Sequence, residues 1–151
     1  MREKKGKIII ALLCFTNVVL GQMQTKADTI LCHSNINIII EYPLINRVNI
    51  MNYEEGYFKT INCILDTAVI TIHCGRMMNL PLTDLTEKII CSKFVLGKDV
   101  RIIRGYYVQD GRKKYFREDN YFKYGITIVY ENVDETKLIY YEHFFNDMKI
   151  Q

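Results

Sequence analysis

The sequence predicts an α+β domain that is mainly antiparallel β-sheet, with one or two short helices and disulfide bridges. Short runs of β-branched and aromatic residues, which are typical of strands, recur along the chain. Asp110-Gly111 lies between two such runs and suits the tight turn of a hairpin. No segment shows a sustained apolar repeat of about 3.6 residues, which a long amphipathic helix requires. An all-β sandwich is the alternative.

The first 21 residues have the parts of a secretory signal peptide in the expected order. Four basic residues between positions 2 and 7 precede an apolar stretch from Ile8 to Leu20, and a small residue, Gly21, follows. That stretch is shorter than the roughly 20 residues that a transmembrane helix needs. We therefore expect cleavage after Gly21, and a secreted domain from Gln22 to Gln151 that is not bound to a membrane.

The charge of the chain argues against a strongly basic nucleic-acid-binding domain. The sequence contains 20 Lys and Arg residues and 17 Asp and Glu residues. Four of the basic residues and one acidic residue lie in the predicted signal peptide, so the remaining domain carries 16 of each. A domain of this length is of ordinary size for one hydrophobic core, and we expect a monomer. Any strongly charged partner must then be bound by a local patch.

Four cysteines belong to the predicted mature domain. They are Cys32, Cys63, Cys74 and Cys91. An even number of cysteines in a secreted domain predicts two disulfides, and all three pairings stay open. A zinc site is the rival interpretation, but the chain has no Cys-x-x-Cys motif. Each histidine beside a cysteine would point to the opposite face of its strand. We expect no metal and no cofactor.

The first half of the domain contains two predicted strands. The polar segment Gln22 to Asp28 is predicted to be a disordered lead-in. Asn35 to Glu41 is rich in isoleucine and predicts a strand, which Tyr42-Pro43 ends. Val48 to Cys63 is ambiguous between strand and short helix. Ala68 to Cys74 alternates as a strand.

The second half is predicted to contain strands joined by tight turns. The predicted strands are Glu87 to Leu96, Val100 to Val108, Lys113 to Arg117, Gly125 to Glu131 and Lys137 to Phe145. Gly97-Lys98-Asp99 and Gln109 to Arg112 are the turns. The last of these strands is chosen over a helix because it contains a cluster of aromatic residues.

No complete catalytic constellation is visible. The mature domain has three histidines, His33, His73 and His143, and two serines, but no Gly-x-Ser-x-Gly motif. Adjacent carboxylates occur at Glu54/Glu55, Glu118/Asp119 and Asp134/Glu135. Each of these pairs is predicted to lie in an exposed turn, where nothing tunes a carboxylate for acid–base chemistry.

Basic residues concentrate around the Asp-Gly turn. They are Arg101, Arg104, Arg112, Lys113, Lys114 and Arg117. Tyrosine and phenylalanine are interleaved with them, so the segment could neutralise phosphates and stack on bases. The alternative is an edge hairpin whose charges prevent aggregation. If the segment binds, its partner is a host protein or RNA.

Six short segments carry a family resemblance. They are Thr29-Ile30-Leu31-Cys32, Tyr42-Pro43, Asn52 to Phe58, Leu80-Pro81-Leu82, Gly97 to Ile103 and Gly125 to Val129. In this order they resemble segments of the small secreted fungal guanyl-specific ribonucleases. They are also similar to the ribonuclease-like effectors of powdery mildew fungi.

The resemblance implies a ribonuclease-like fold whose catalytic groups have been lost. Tyr42 and Arg101 match residues of the family's RNA site, which a ribonuclease-like fold would bring to one sheet face. Leu44 and Val129 stand where the family has histidines, and Asn79 stands at or near its carboxylate base. Neither Leu nor Val can transfer a proton, so rate factors of about 10²–10⁴ each disappear.

The sequence therefore predicts a secreted, non-enzymatic, effector-like binding protein that engages a host protein or RNA. An active secreted ribonuclease or other hydrolase that uses His73 or His143 is the second hypothesis. An unrelated all-β secreted ligand-binding module, of the kind found in viruses or venoms, is the third.

Overall fold

The structure, a computed structural model, describes residues 23–33, 35–75, 88–95 and 100–151, with the backbone alone at residues 33 and 88–95. The strands are β1 (Thr25–His33), β2 (Ile36–Pro43), β3 (Asn46–Tyr53), β4 (Gly56–Cys63), β5 (Val69–Gly75), β6 (Lys88–Val95), β7 (Val100–Gln109), β8 (Arg112–Tyr121), β9 (Ile126–Asp134) and β10 (Lys149–Ile150). One α-helix, α1, spans Leu138–Asp147, and two 3₁₀ turns span Phe122–Tyr124 and Glu135–Lys137.

The predicted signal peptide at residues 1–21, the segment containing Asn79 to Leu82 and the turn at Gly97-Lys98-Asp99 lie outside the described residues. Within the described ranges, no helix is long and apolar enough to span a membrane.

The described strands form two antiparallel sheets. One has the order β1-β2-β10, and the other has the order β3-β4-β5-β9-β8-β7-β6. Every strand pair in the described ranges is antiparallel. Helix α1 packs against β2 and β9, which belong to different sheets. The predicted class, mainly antiparallel sheet with a short helix, is confirmed, and the packed helix disfavours the all-β alternative.

The core lies between the two sheets and α1. Alternate residues of β1, β2, β4, β5 and β9 point into it, because neighbouring side chains of a strand face opposite ways. The core side chains include Ile38, Ile40, Tyr42, Ile61, Ile70, Ile72, Ile126, Ile128, Tyr130, Tyr141, Phe144 and Phe145. A disulfide between Cys32 and Cys74 joins β1 to β5 and therefore ties the smaller sheet to the larger one.

The prediction of two disulfides is confirmed for one bridge and is wrong for Cys63. That residue is a buried free thiol on β4, beside Tyr141 and Asp66. Cys63 lies in the part of the core next to α1. Cys32 and Cys74 are bonded to each other and therefore cannot pair with it. The side chain of Cys91 lies outside the described part of the molecule.

The prediction of a strand at Lys137 to Phe145 is wrong, because α1 occupies Leu138–Asp147. Tyr141, Phe144 and Phe145 are buried on one helix face, and Leu138 packs against the same core. This spacing of three and four residues is that of a helix. Burial of aromatic rings against β2 and β9 outweighs their preference for strands.

The predicted disordered lead-in at Gln22 to Asp28 is also wrong from Thr25 onward. β1 begins at Thr25 and pairs with β2 as far as Pro43. Asp28 is held from both sides, because it accepts hydrogen bonds from the Tyr42 hydroxyl and from Lys59 Nζ. These contacts lie far along the chain, so local polarity does not indicate them.

The ambiguous segment Val48 to Cys63 forms a hairpin of β3 and β4. Tyr53 pairs with Gly56, so Glu54 and Glu55 make a two-residue turn. The remaining strand predictions, at residues 35–41, 68–74, 87–96, 100–108, 113–117 and 125–131, are confirmed with shifts at their ends.

Candidate functional site

The hairpin of β7 and β8 ends in an exposed tip, defined here as Val108–Lys113. Gln109 pairs with Arg112, and the turn residues Asp110 and Gly111 have φ angles of 50° and 73°. Aspartate and glycine tolerate this left-handed conformation, so the predicted tight turn is confirmed. All six residues of the hairpin tip are exposed.

Two cations stand on the hairpin tip. Arg112 and Lys113 are exposed, and Lys113 Nζ lies 4.8 Å from the centroid of the Tyr106 ring. The Tyr106 and Tyr115 rings lie 5.9 Å apart, on the side of the hairpin that carries Lys113. Lys114 is different, because its Nζ forms a 2.9 Å ion pair with Asp134 on β9. The hairpin tip therefore combines free positive charge with an aromatic pair.

Arg117, which was also predicted to bind a partner, lies in the interior. Only 2% of its surface is exposed. Its guanidinium donates to both carboxylate oxygens of Asp119, at 2.7 and 2.8 Å, and to Glu142 of α1 at 2.9 Å. Arg104 forms a 3.0 Å ion pair with the same Glu142. These two arginines attach α1 to the sheet.

The prediction that Glu118/Asp119 lies in an exposed turn is wrong. Both residues are buried in the middle of β8, on opposite faces of the sheet. Burial raises the pKa of Asp119, although Arg117 opposes that shift. Glu54 and Glu55 do lie in an exposed turn, as predicted.

Tyr42 and Arg101 are not brought together. Tyr42 is fully buried in the core between the sheets, and its hydroxyl donates to Asp28 at 2.5 Å. Arg101 pairs with Asn120 on the opposite face of the larger sheet, the face that also carries Val129. The shared face implied by the resemblance therefore does not include Tyr42. Asn79 is outside the described residues.

The face that carries Arg101 contains a row of polar side chains, which we call the polar row. It runs across four strands through Arg101, Asn120, Thr127 and His73, each directly opposite the next. The Thr127 hydroxyl donates to Asn120 Oδ1, and Asn120 Nδ2 donates to Glu118, both at 2.7 Å. Buried polar groups need such partners, so the polar row is internally organised.

His73 stands at one end of the polar row with only 1% of its surface exposed. It shares a 2.6 Å hydrogen bond with the Tyr53 hydroxyl through Nε2 and stacks on Phe58 at 4.5 Å. A Cβ at Gly75 would overlap the Tyr53 hydroxyl, and one at Gly56 would overlap the Cys74 carbonyl oxygen. Two glycines therefore make room for the Tyr53 ring.

His143 does not join this arrangement. His143 is an exposed residue of α1 whose Nδ1 lies 3.1 Å from Asp147. The side chain of His33 is outside the described residues. Sequence reasoning missed the Tyr53–His73 contact because it joins positions 20 residues apart. The alternating pattern of side chains along β5 was the available signal. It places His73 on the sheet face opposite the one from which Cys74 points into the core.

Comparison with protein-family models, curated proteins and solved structures finds no match for this chain. The resemblance to fungal ribonucleases therefore stays a prediction.

Proposed function

We propose that this chain is a secreted, non-enzymatic binding protein that holds single-stranded RNA through the hairpin tip without cleaving it. An acidic surface of a host protein is the alternative partner. The resemblance to effectors with a ribonuclease-like scaffold agrees with this proposal. The proposal itself depends on one observation, which is the exposed pairing of cations and aromatic rings at the end of β7 and β8.

The chemistry of the hairpin tip suits a phosphate backbone. Arg112 can bind a phosphate through two parallel hydrogen bonds, and Lys113 provides a second charge one residue away. Tyr106 and Tyr115 lie beside Lys113, and partly exposed rings offer a surface on which bases stack without sequence preference. The positive charge is local, which is consistent with the balanced charge of the predicted mature domain.

Burial of His73 and of the Glu118/Asp119 pair argues against catalysis by these groups and favours binding. His73, Glu118 and Asp119 have exposures of 1%, 0% and 1%. A general acid or base must come within hydrogen-bond reach of its substrate. In this structure a substrate cannot reach any of these three side chains.

Charge reversal at the hairpin tip tests the proposal. We expect Arg112→Glu/Lys113→Glu to weaken binding of a labelled RNA of about 20 nucleotides by at least about tenfold, because two phosphate contacts are lost. Fluorescence anisotropy measures this affinity, and wild-type binding should weaken as salt is added. The melting temperature should stay nearly unchanged, since exposed charges contribute little to stability.

The matched control is Lys123→Glu/Lys149→Glu, which makes the same change in net charge at two exposed lysines away from the hairpin tip. It should alter the affinity less than about twofold, an effect of overall charge only. Equal weakening by both double variants would contradict a site at the hairpin tip. Absence of RNA binding by the wild type would favour the protein partner.

A ribonuclease or other hydrolase is the second candidate function, and the Tyr53–His73 hydrogen bond is the observation that favours it. A histidine held by a tyrosine hydroxyl at 2.6 Å could act as an acid or base if the sheet face opened. This candidate predicts RNA cleavage that is lost in His73→Gln.

A further inference from the structure

β3 is one of the two outermost described strands of the larger sheet, and it is exposed on both faces. Residues 47–52 are all exposed, with 55% of Ile50 and 58% of Met51 accessible to solvent. In the described part of the chain, no strand pairs with its outer side. β3 therefore presents a row of backbone N–H and C=O groups to solvent.

Exposed apolar side chains concentrate around this strand. Ten large hydrophobic residues are exposed among those described, and seven lie between positions 44 and 65. The seven are Leu44, Ile45, Val48, Ile50, Met51, Ile64 and Leu65. Apolar side chains clustered in this way mark interaction sites, whereas scattered ones do not.

The edge of β3 lacks the usual protection against pairing. Natural edge strands carry charges, bulges or proline. β3 pairs with β4 through eight residues without a register shift, and its only charged residue is Arg47. β1, an edge strand of the other sheet, has Lys26, Asp28 and an irregularity near its end.

We propose that β3 is a dimer interface, on which the β3 strand of a second copy of this chain adds in antiparallel orientation about a twofold axis. The seven-stranded sheets of the two copies then form one continuous sheet. This inference is independent of RNA binding at the hairpin tip, and it replaces the expected monomer.

The hydrogen-bonding pattern of β3 fits such pairing. The Ile64 N–H donates to the Ile45 carbonyl, and the two-residue turn closes on Tyr53 and Gly56. Odd-numbered residues therefore bond toward β4, and even-numbered residues point their N–H and C=O groups outward. A twofold axis that passes through a residue, normal to the sheet, pairs even-numbered residues of one copy with even-numbered residues of the other. The outward N–H and C=O groups of the two copies therefore face each other.

One register also matches the side chains. With Asn49 on the axis, Val48 lies opposite Ile50 of the second copy, and Ile50 lies opposite Val48. The four aliphatic side chains share one face, as cross-strand pairs do. Arg47 then lies opposite Met51 of the second copy and not opposite another arginine.

Charge favours the antiparallel orientation. Each β3 hairpin has Arg47 near one end and the exposed Glu54 and Glu55 at the other. Antiparallel pairing brings the positive end of each copy to the negative end of the other, whereas parallel pairing would bring like charges together. An edge of eight residues buries less than the roughly 800 Å² per partner of a standard interface, so we expect a dissociation constant of about 1–50 µM.

Sedimentation equilibrium of the mature protein tests the dimer. Wild type should change from monomer to dimer as the protein concentration rises through the expected dissociation constant. Ile50→Glu should weaken dimerisation by at least about 100-fold, because it buries two carboxylates in the interface. Glu at position 50 would face Lys59, so the monomer should still fold. The control Ile139→Glu changes an isoleucine on α1 that is even more exposed than Ile50 and should leave dimerisation unchanged. A wild type that stays monomeric, or a dimer that survives Ile50→Glu, would overturn the proposal.

Cross-linking tests the register without relying on that variant. Asn49→Cys should form a disulfide between copies under mild oxidation, because residues facing on the axis have Cα atoms about 4.5–5.5 Å apart. Asn62→Cys, at an exposed position of β4 one strand further in, should not, since its two copies lie three strand spacings apart across the sheet and four residues apart along it, about 20 Å in all. No dimer on a non-reducing gel for Asn49→Cys, or an equal dimer for Asn62→Cys, would refute the arrangement.

Discussion

Arg117 donates to both oxygens of Asp119 and to Glu142, and is almost completely removed from water. Taking charges out of water costs several kcal/mol for each ion, which their mutual attraction and hydrogen bonds offset. Removing one partner leaves the other charge buried without compensation. The residue type alone suggested a phosphate-binding arginine, but its neighbours make it a structural one.

We expect Arg117→Met to lower the free energy of unfolding by about 3–5 kcal/mol, because the buried Asp119 loses its cation and Glu142 keeps only Arg104. The matched change Arg112→Met, on the exposed hairpin tip, should cost less than about 0.5 kcal/mol. Urea denaturation followed by circular dichroism measures both. Similar losses for the two variants would contradict the assignment of Arg117 to the interior.

The reactivity of the Cys63 thiol, like the role of Arg117, depends on the residues around it. Burial raises the pKa of its thiol to about 11. The thiolate is the reactive form, so a buried thiol with a raised pKa is inert. We expect iodoacetamide to leave Cys63 unlabelled in the folded protein and to label it after unfolding without reductant. Peptide mass mapping should find Cys32 and Cys74 unlabelled in both cases; a Cys63 that resists labelling when unfolded would show that it is bonded.

Among the larger elements, the hairpin of β7 and β8 was predictable from its turn residues, and elements fixed by distant contacts were not. The Asp-Gly turn determines how β7 meets β8 within a few residues. α1 was predicted wrongly because its burial against β2 determines its structure. β1 was predicted wrongly because hydrogen bonds from Tyr42 and Lys59 hold it in place. Propensity is a weak guide where such tertiary contacts compete with it.

The contact between Asp28 and Lys59 joins the two sheets, and it should depend on pH. Burial alone would raise the pKa of Asp28, but hydrogen bonds from Tyr42 and Lys59 hold it below its ordinary value of 3.8. A carboxyl whose pKa is lower in the folded state stabilises the fold above its unfolded pKa, and this contribution disappears as the pH falls through the folded pKa.

We therefore expect Asp28→Asn to reduce the free energy of unfolding by about 1 kcal/mol at neutral pH. The difference from wild type should shrink below pH 3.8, the ordinary pKa of the group. Urea titrations at several pH values measure it. Asp110→Asn, in an exposed turn that accepts either residue, is the control and should have little effect. A difference for Asp28→Asn that is constant down to the acid limit would contradict the linkage.

At the scale of the whole molecule, the two proposed surfaces lie on different hairpins of one sheet. The hairpin tip could be predicted because a tight turn exposes Arg112 and Lys113 next to it. The burial of Arg117 could not, because it depends on a helix that the sequence did not indicate. The polar row and the β3 edge depend on the order and register of seven strands, which local patterns do not encode.

The fate of bound RNA tests the central claim, binding without catalysis, most directly. Labelled single-stranded RNA is incubated with wild-type protein at saturating concentration, its anisotropy is recorded, and the RNA is then recovered and analysed by mass spectrometry. We expect the RNA to be bound and intact, and its affinity to be weakened at least about tenfold by Arg112→Glu/Lys113→Glu. Fragments with cyclic-phosphate ends, absent with His73→Gln, would contradict this claim and identify an active ribonuclease.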